Sequence, residues 1–159
     1  FVGTPLGDFD AGTSADPLQA AGHAIGVSIC YEVTFGAELA DALPTAEVLL
    51  NVSNDAWFGR SSAPWQHLEM ARMRALEAGR PMLRATNTGV SAIIDARGRV
   101  VSDSALFERA VLTGEIQPHT GTTPYMRWRD WPMAGASLAG LLLLIIFGRR
   151  ELTLFRDIG

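Results

Sequence analysis

The chain has 159 residues, 48% of them hydrophobic, which is enough for one modest domain with an appendage but not for two full domains. A formal net charge of −4, from 17 acidic and 13 basic residues spread along the chain, excludes the electrostatic footprint of a nucleic-acid binder. One cysteine, Cys30, excludes an internal disulfide and a cysteine-based zinc cluster. All 13 basic residues are Arg, and a guanidinium does not replace an amine in proton transfer, so any catalytic lysine lies outside this chain. The chain opens on Phe1 with neither a basic start nor an apolar signal stretch, and the expectation is a fragment of a longer protein.

Along the chain, strand and helix signals alternate in the order expected of an α/β layer architecture. Residues 1–23, rich in Gly, Ala and Asp, are expected to form a surface loop. Residues 24–29 (AIGVSI) read as a short buried strand. Residues 34–42 read as a helix with Phe35 and Leu39 four apart on one face. Residues 48–52 (VLLNV) are a second buried strand. The run 64–78 (PWQHLEMARMRALEA) predicts a helix, with Pro64 at its start, good helix formers throughout, and Leu68, Ala71, Ala75 and Ala78 at three- and four-residue intervals. Gly79 and Pro81 end it, and residues 82–86 read as a strand.

Residues 91–94 and 99–102 flank Asp95-Ala96-Arg97-Gly98, a turn signal that predicts a hairpin. Residues 110–116 read as a last strand and 117–130, with Pro118, Gly121 and Pro124, as a linker. The strongest physical signal follows. Residues 131–148 (WPMAGASLAGLLLLIIFG) carry no charge; as a helix rising about 1.5 Å per residue they would roughly match the hydrocarbon thickness of a bilayer. Trp128 and Trp131 sit where an interfacial belt would, and Arg149 and Arg150 end the run. Arg149, Arg150 and Arg156 follow the span while Arg127 and Arg129 precede it, which leans toward a cytoplasmic tail, 149–159, and a globular part on the opposite face.

A lone cysteine is either inert core or a reactive thiol. Cys30 falls where a buried strand gives way to a helix, and such a sharp turn exposes a nucleophile while the following backbone N–H groups face an oxyanion. The N–H of Tyr31 is the candidate oxyanion donor. Glu32 either orients a base at the site or is a carboxylate favoured by a helix N-terminus. Trp57 and Phe58, in a loop bounded by Gly59, either line a substrate entry or pack as ordinary core. Asn54 and Asp55 read as residues that cap and fix that loop. His67, in the first turn of a helix, reads as a structural hydrogen-bonding residue and not as the base for Cys30. His23 and His119 read as solvated loop residues, and no spacing supports a metal site.

Gly26-Val27-Ser28-Ile29-Cys30-Tyr31-Glu32 followed by Asn51-Val52-Ser53-Asn54-Asp55-Ala56-Trp57-Phe58-Gly59 resembles the nucleophile strand and following loop of the nitrilase superfamily. Pro64-Trp65-Gln66-His67, Met70-Ala71-Arg72-Met73-Arg74-Ala75-Leu76-Glu77, Arg84-Ala85-Thr86-Asn87-Thr88-Gly89 and Thr120-Gly121-Thr122-Thr123-Pro124-Tyr125 are similar to its apolipoprotein N-acyltransferase branch. The similarity covers roughly residues 24–148. It implies an α/β fold that is the C-terminal part of a nitrilase-like α-β-β-α sandwich, residues 1–116, then a linker, 117–130, one transmembrane helix, 131–148, and a short cytoplasmic tail.

The resemblance further implies a Glu-Lys-Cys triad whose cysteine takes a fatty acyl group from a phospholipid as a thioester and passes it to the N-terminal α-amino group of a lipoprotein. No cofactor is implied, and the protein is expected to act as a monomer in the bacterial inner membrane, with its catalytic domain on the periplasmic face. In this family the Glu and Lys precede the nucleophile strand, so the chain alone is expected to be inactive. A carbon–nitrogen hydrolase of soluble type and a non-catalytic membrane-tethered binding domain are the alternatives.

Overall fold

The computed structural model describes residue 14 and residues 16–42 and 45–156, with side chains given as far as Ile146 except at 38, 41 and 42. Two compact units divide the chain, Phe1–Thr122 and Thr123–Gly159. The first is built on one six-stranded sheet whose strands lie side by side in chain order: β1 (Leu18–Ala20), β2 (His23–Ile29), β3 (Val48–Ser53), β4 (Met82–Thr86), β5 (Ala92–Ile94) and β6 (Val100–Asp103). The three central strands are parallel and the outer ones join antiparallel, so the sheet is mixed.

Parallel neighbours need crossover connections. A 3₁₀ turn, Cys30–Thr34, and α1 (Gly36–Ala42) connect β2 to β3; a second 3₁₀ turn, Asp55–Phe58, and α2 (Ala63–Ala78) connect β3 to β4. Helix α2 starts with Pro64, whose missing N–H costs nothing there, and ends at Gly79 in the left-handed conformation (φ 61°) that lets its N–H close back onto Ala75 and Leu76. Its buried stripe is Leu68, Ala71, Ala75 and Ala78. Three of these are Ala, so the helix axis lies close over the sheet.

Register then decides which strand residues lie beneath. Gly26, Leu49 and Met82 are cross-strand neighbours, as are Ser28, Asn51 and Arg84 two residues on, and all of them are buried. The alternate residues, Val27, Leu50 and Leu83, are half-buried, and Ile29 and Val52 are exposed. One sheet face is therefore helix-covered and carries the polar Ser28, Asn51 and Arg84, while the other is apolar and only partly covered.

Several elements differ from the sequence expectations. The expected loop 1–23 contains β1, turned into β2 by Ala21 (φ 53°) and Gly22 (φ 80°); residues 1–13 lie outside the described residues. Helix α1 starts at Gly36, not at 34. Phe35 is extended and exposed and does not share a helix face with the buried Leu39. Residues 110–116 pair with no strand. Within this stretch Gly114 lies so close to Ile93 that an added Cβ would stand 2.9 Å from Cδ1. Arg80, buried, holds this return path: its Nε donates to the carbonyl of Ala46 (2.8 Å) and its Nη2 to that of Gly121 (2.7 Å).

The second unit comprises α3 (Pro124–Trp128), capped by the Thr123 hydroxyl, and α4 (Trp131–Arg156). Every described side chain of α4 is exposed. Among the described residues no helix is long and apolar enough to cross a membrane; the predicted span, 131–148, runs past the described side chains, and of the predicted tail 149–159 no side chain is described.

The β5–β6 turn is closed by Asp95, whose Oδ1 accepts the backbone N–H of Arg97 and of Arg99, each at 2.8 Å. These bonds, that from Arg99 first, hold the Asp95 carboxyl below its ordinary value. Because the native carboxyl titrates below the unfolded one, its contribution is full above the ordinary carboxylate range and disappears as pH falls through the native value. Asp95→Ala is expected to destabilise the intact protein by about 0.5 kcal/mol per bond at this exposed turn. Thermal unfolding should show the deficit at neutral pH and show it vanishing in acid.

Candidate active site

The end of β2 carries a left-handed non-glycine residue. Cys30 has φ 52°, in the left-handed region that costs a non-glycine residue about 1–2 kcal/mol. Ile29 before it is still extended (φ −110°, ψ 120°) and the 3₁₀ turn begins at once. The chain thus folds sharply at the cysteine, whose side chain is half-buried at the turn. Glu32 braces this elbow by accepting the Ile29 N–H on Oε2 at 2.7 Å, and Thr34 Oγ1 donates to the Tyr31 carbonyl at 2.8 Å.

Beneath the elbow lies a ring of buried polar groups. Asn51 Nδ2 donates to Ser28 Oγ (3.0 Å), to the Ser28 carbonyl (3.2 Å) and to the Cys30 carbonyl (3.4 Å). Arg84 Nη1 donates to Asn51 Oδ1, and its Nη2 to Asp55 Oδ2 at 2.9 Å. Asp55 Oδ1 faces His67 Nδ1 at 3.1 Å and accepts Ser53 Oγ at 2.6 Å. His67 Nε2 then reaches the Cys30 carbonyl at 3.1 Å, which closes the ring. Asn51, Asp55, Arg84 and His67 are each no more than 3% exposed.

Both ring nitrogens of His67 face acceptor oxygens, so both bonds are made only when both nitrogens carry protons. Burial draws the Arg84 guanidinium below its ordinary value, and Asp55 opposes that by charge and by hydrogen bond. Its Nε also donates to the Val90 carbonyl at 3.3 Å. Asp55 is held through its backbone as well, where Asn87 Oδ1 accepts the Asp55 N–H at 3.1 Å, and Gly89 lies against the Asp55 side chain.

Of the residues singled out in the sequence, Cys30, Tyr31, Glu32 and His67 come together at the elbow. Tyr31 is 57% exposed and stacks edge-on to Phe35, ring centroids 6.0 Å apart. Phe58 sets its ring edge-on to His67 at 6.0 Å, whereas Trp57 is 87% exposed. Asn54 caps the second 3₁₀ turn through Ala56 N, as a loop-fixing residue does. Asp55 does more than fix a loop, because it pairs with Arg84 and His67. His67 bonds to the Cys30 carbonyl and not to the thiol, in keeping with a structural hydrogen bond. His23, read as solvated, is part-exposed and bonds Glu47 through Nδ1 at 2.6 Å. Exposed His119 has its Nδ1 against the Gln117 carbonyl.

Sequence reasoning missed Asn51 and Arg84. The signal was present: in VLLNVS and MLRAT each polar residue stands two positions from an inward apolar one, Leu49 or Met82, on strands otherwise built for a core. A buried Arg there demands a partner.

A family model described as carbon-nitrogen hydrolase matches residues 4–125, and the chain belongs to that family. An apolipoprotein N-acyltransferase of Methylococcus capsulatus is 56% identical over 148 residues, 92% of this chain and 29% of its own length. That of Azotobacter vinelandii is 52% identical over 144 residues, 90% of this chain and 28% of its own. The chain therefore spans under a third of the length of these relatives. In fold, it is similar to the crystal structure of a carbon-nitrogen hydrolase from Helicobacter pylori G27, with TM-score 0.57 and 19% identity over 68% of this chain and 45% of that one.

Gly89 is required by space and not by torsion. An added Cβ would stand 2.7 Å from Asp55 Cγ and 2.8 Å from Asp55 Cβ. Gly89→Ala must displace the carboxylate from Arg84 and His67. Leaving a buried charge without its partner costs about 3–5 kcal/mol, so the variant should show a large fall in Tm.

Proposed function

We propose that the parent of this chain transfers a fatty acyl group from a phospholipid to the N-terminal α-amino group of a lipoprotein, with Cys30 as the nucleophile. The observation that carries the reading is the lone thiol on a left-handed strand-to-helix elbow, in a chain about half identical to apolipoprotein N-acyltransferases. The thiol sulfur attacks the ester carbonyl carbon, the S–C bond forms and the C–O bond breaks, and the lysophospholipid leaves with the proton. The lipoprotein amine then attacks the thioester, the N–C bond forms, the S–C bond breaks, and the thiol is regained.

In this reading the Tyr31 N–H donates to the oxyanion and Glu32 keeps the elbow in shape. The exposed Trp57, and the exposed Tyr31 and Phe35 at the elbow, offer apolar surface to an acyl chain, while Phe58 supports His67. The Glu and Lys that complete the triad by resemblance lie before residue 1. The partly covered apolar sheet face suits the second sheet of an α-β-β-α sandwich. The division into a partial catalytic domain, 1–116, a linker, 117–130, a span, 131–148, and a tail, 149–159, belongs to the same proposal. The span draws support from the exposed, uncharged run Leu138 to Ile146 within α4, since a helix apolar all round is not one that faces water. In this proposal the protein is a monomer of the bacterial inner membrane, with the site on the extracytoplasmic side.

The test is to incubate membranes containing the intact protein, wild type or Cys30→Ala, with an alkyne-tagged phospholipid and to look by mass spectrometry for a hydroxylamine-sensitive adduct. An acyl group on Cys30 of the wild type alone is the expected result. Turnover by Cys30→Ala, or active wild-type membranes without the adduct, would contradict the proposal and favour the hydrolase or binding-domain reading.

A further inference from the structure

We infer that His67 is a positioning residue for the nucleophile: held by Asp55, it grips the Cys30 carbonyl and so keeps the elbow in the left-handed conformation on which the thiol's aim depends. This rests on the reading of Cys30 as the acyl-accepting nucleophile.

A left-handed Cys30 is unfavourable by itself and persists only where the surroundings over-determine it. The peptide plane after Cys30 carries both the Cys30 carbonyl and the Tyr31 N–H, so a clamp on the carbonyl also fixes the direction of that N–H. Two donors reach the carbonyl, Asn51 Nδ2 at 3.4 Å and His67 Nε2 at 3.1 Å, from β3 and α2 respectively. The His67 bond is the shorter, and its donor is itself aimed by the Asp55 carboxylate at 3.1 Å. The imidazole meets Cys30 through its backbone carbonyl, so its hold is on the backbone and not on the thiol sulfur. Its action is thus through the peptide plane and not through proton transfer.

The groups that face the imidazole are few. Asp55 meets Nδ1, the Cys30 carbonyl meets Nε2, and the rings of Phe58 and Tyr31 flank it with centroids 6.0 and 6.5 Å away. Arg84 stands on the far side of Asp55 and neutralises it, so the ring and the guanidinium share one carboxylate. The arrangement resembles a lever: charge is anchored at Arg84, and the far end holds a backbone oxygen.

Two substitutions of His67 separate this role from general stability. In His67→Gln the amide nitrogen takes the place of Nε2 and retains the bond to the Cys30 carbonyl while the bond to Asp55 is lost. In His67→Asn the amide takes the place of Nδ1, retains Asp55 and abandons the carbonyl. The rate of acyl-Cys30 formation is measured in single turnovers of the intact protein with the alkyne-tagged phospholipid, per folded molecule, across donor concentrations. Positioning predicts that His67→Gln stays close to wild type and that His67→Asn is slowed about 10- to 100-fold in the rate constant, with half-saturation by the donor unchanged.

Equal rates for the two variants, whether both fast or both slow, would overturn the inference. So would a His67→Asn defect confined to donor half-saturation, or failure of both variants to fold. If the wild type forms no adduct on Cys30, it is the nucleophile assignment that fails; if it does and the variants rank equally, only the role of His67 fails.

Discussion

Two charges buried under a sheet organise this structure. Arg84 and Asp55 meet at 2.9 Å with their side chains wholly out of solvent, and neither is tolerable there without the other. Arg84 comes from the middle of β4 and Asp55 from the turn after β3, so their meeting fixes where the β3 loop lands. Everything at the elbow is referred to that point. Asn51 takes the second Arg84 nitrogen, His67 takes the second carboxylate oxygen, and both converge on the carbonyl of Cys30.

A buried ion pair is weak evidence for stability, because desolvation consumes most of its Coulomb energy, but it is demanding about geometry. That demand matters for the strand-end turn at Cys30, the proposed nucleophile. The parallel strands β2, β3 and β4 line up Ser28, Asn51 and Arg84 in one row beneath the helices, and the row points at the cysteine. The cost of the left-handed residue is thereby spread over a network in which each donor has an acceptor. Gly89 completes the enclosure by leaving room for the carboxylate. The catalytic reading and the architecture thus share one set of residues.

Much of the scaffold was legible in the sequence because its signals are local. The Ala and Leu spacing of α2, its Pro64 start and Gly79 end, the strand 82–86 and the Asp95–Gly98 turn all act within a few residues. The family was legible as well, from the runs around Cys30 and from Asn51 to Gly59. Other features depend on distant partners. Residues 110–116 read as a strand yet pair with no strand among the described residues, and Val111 is 88% exposed. Strand β1 has only three residues and exists because Ala21 and Gly22 turn it onto β2. The buried ring joins residues from positions 28 to 84, and reading it required knowing the register of three strands. Phe35 left its expected helix because the elbow at Cys30 takes up the first turn.

The double change Arg84→Met with Asp55→Leu, set beside each single change, tests most directly whether the buried pair anchors the site. Unfolding of the intact protein should show Arg84→Met destabilised by about 3–5 kcal/mol, because Asp55 is stranded, and the double variant recovering a large part of that loss. A single variant as stable as wild type, or a double variant whose loss is the plain sum of the two single losses, would contradict the account.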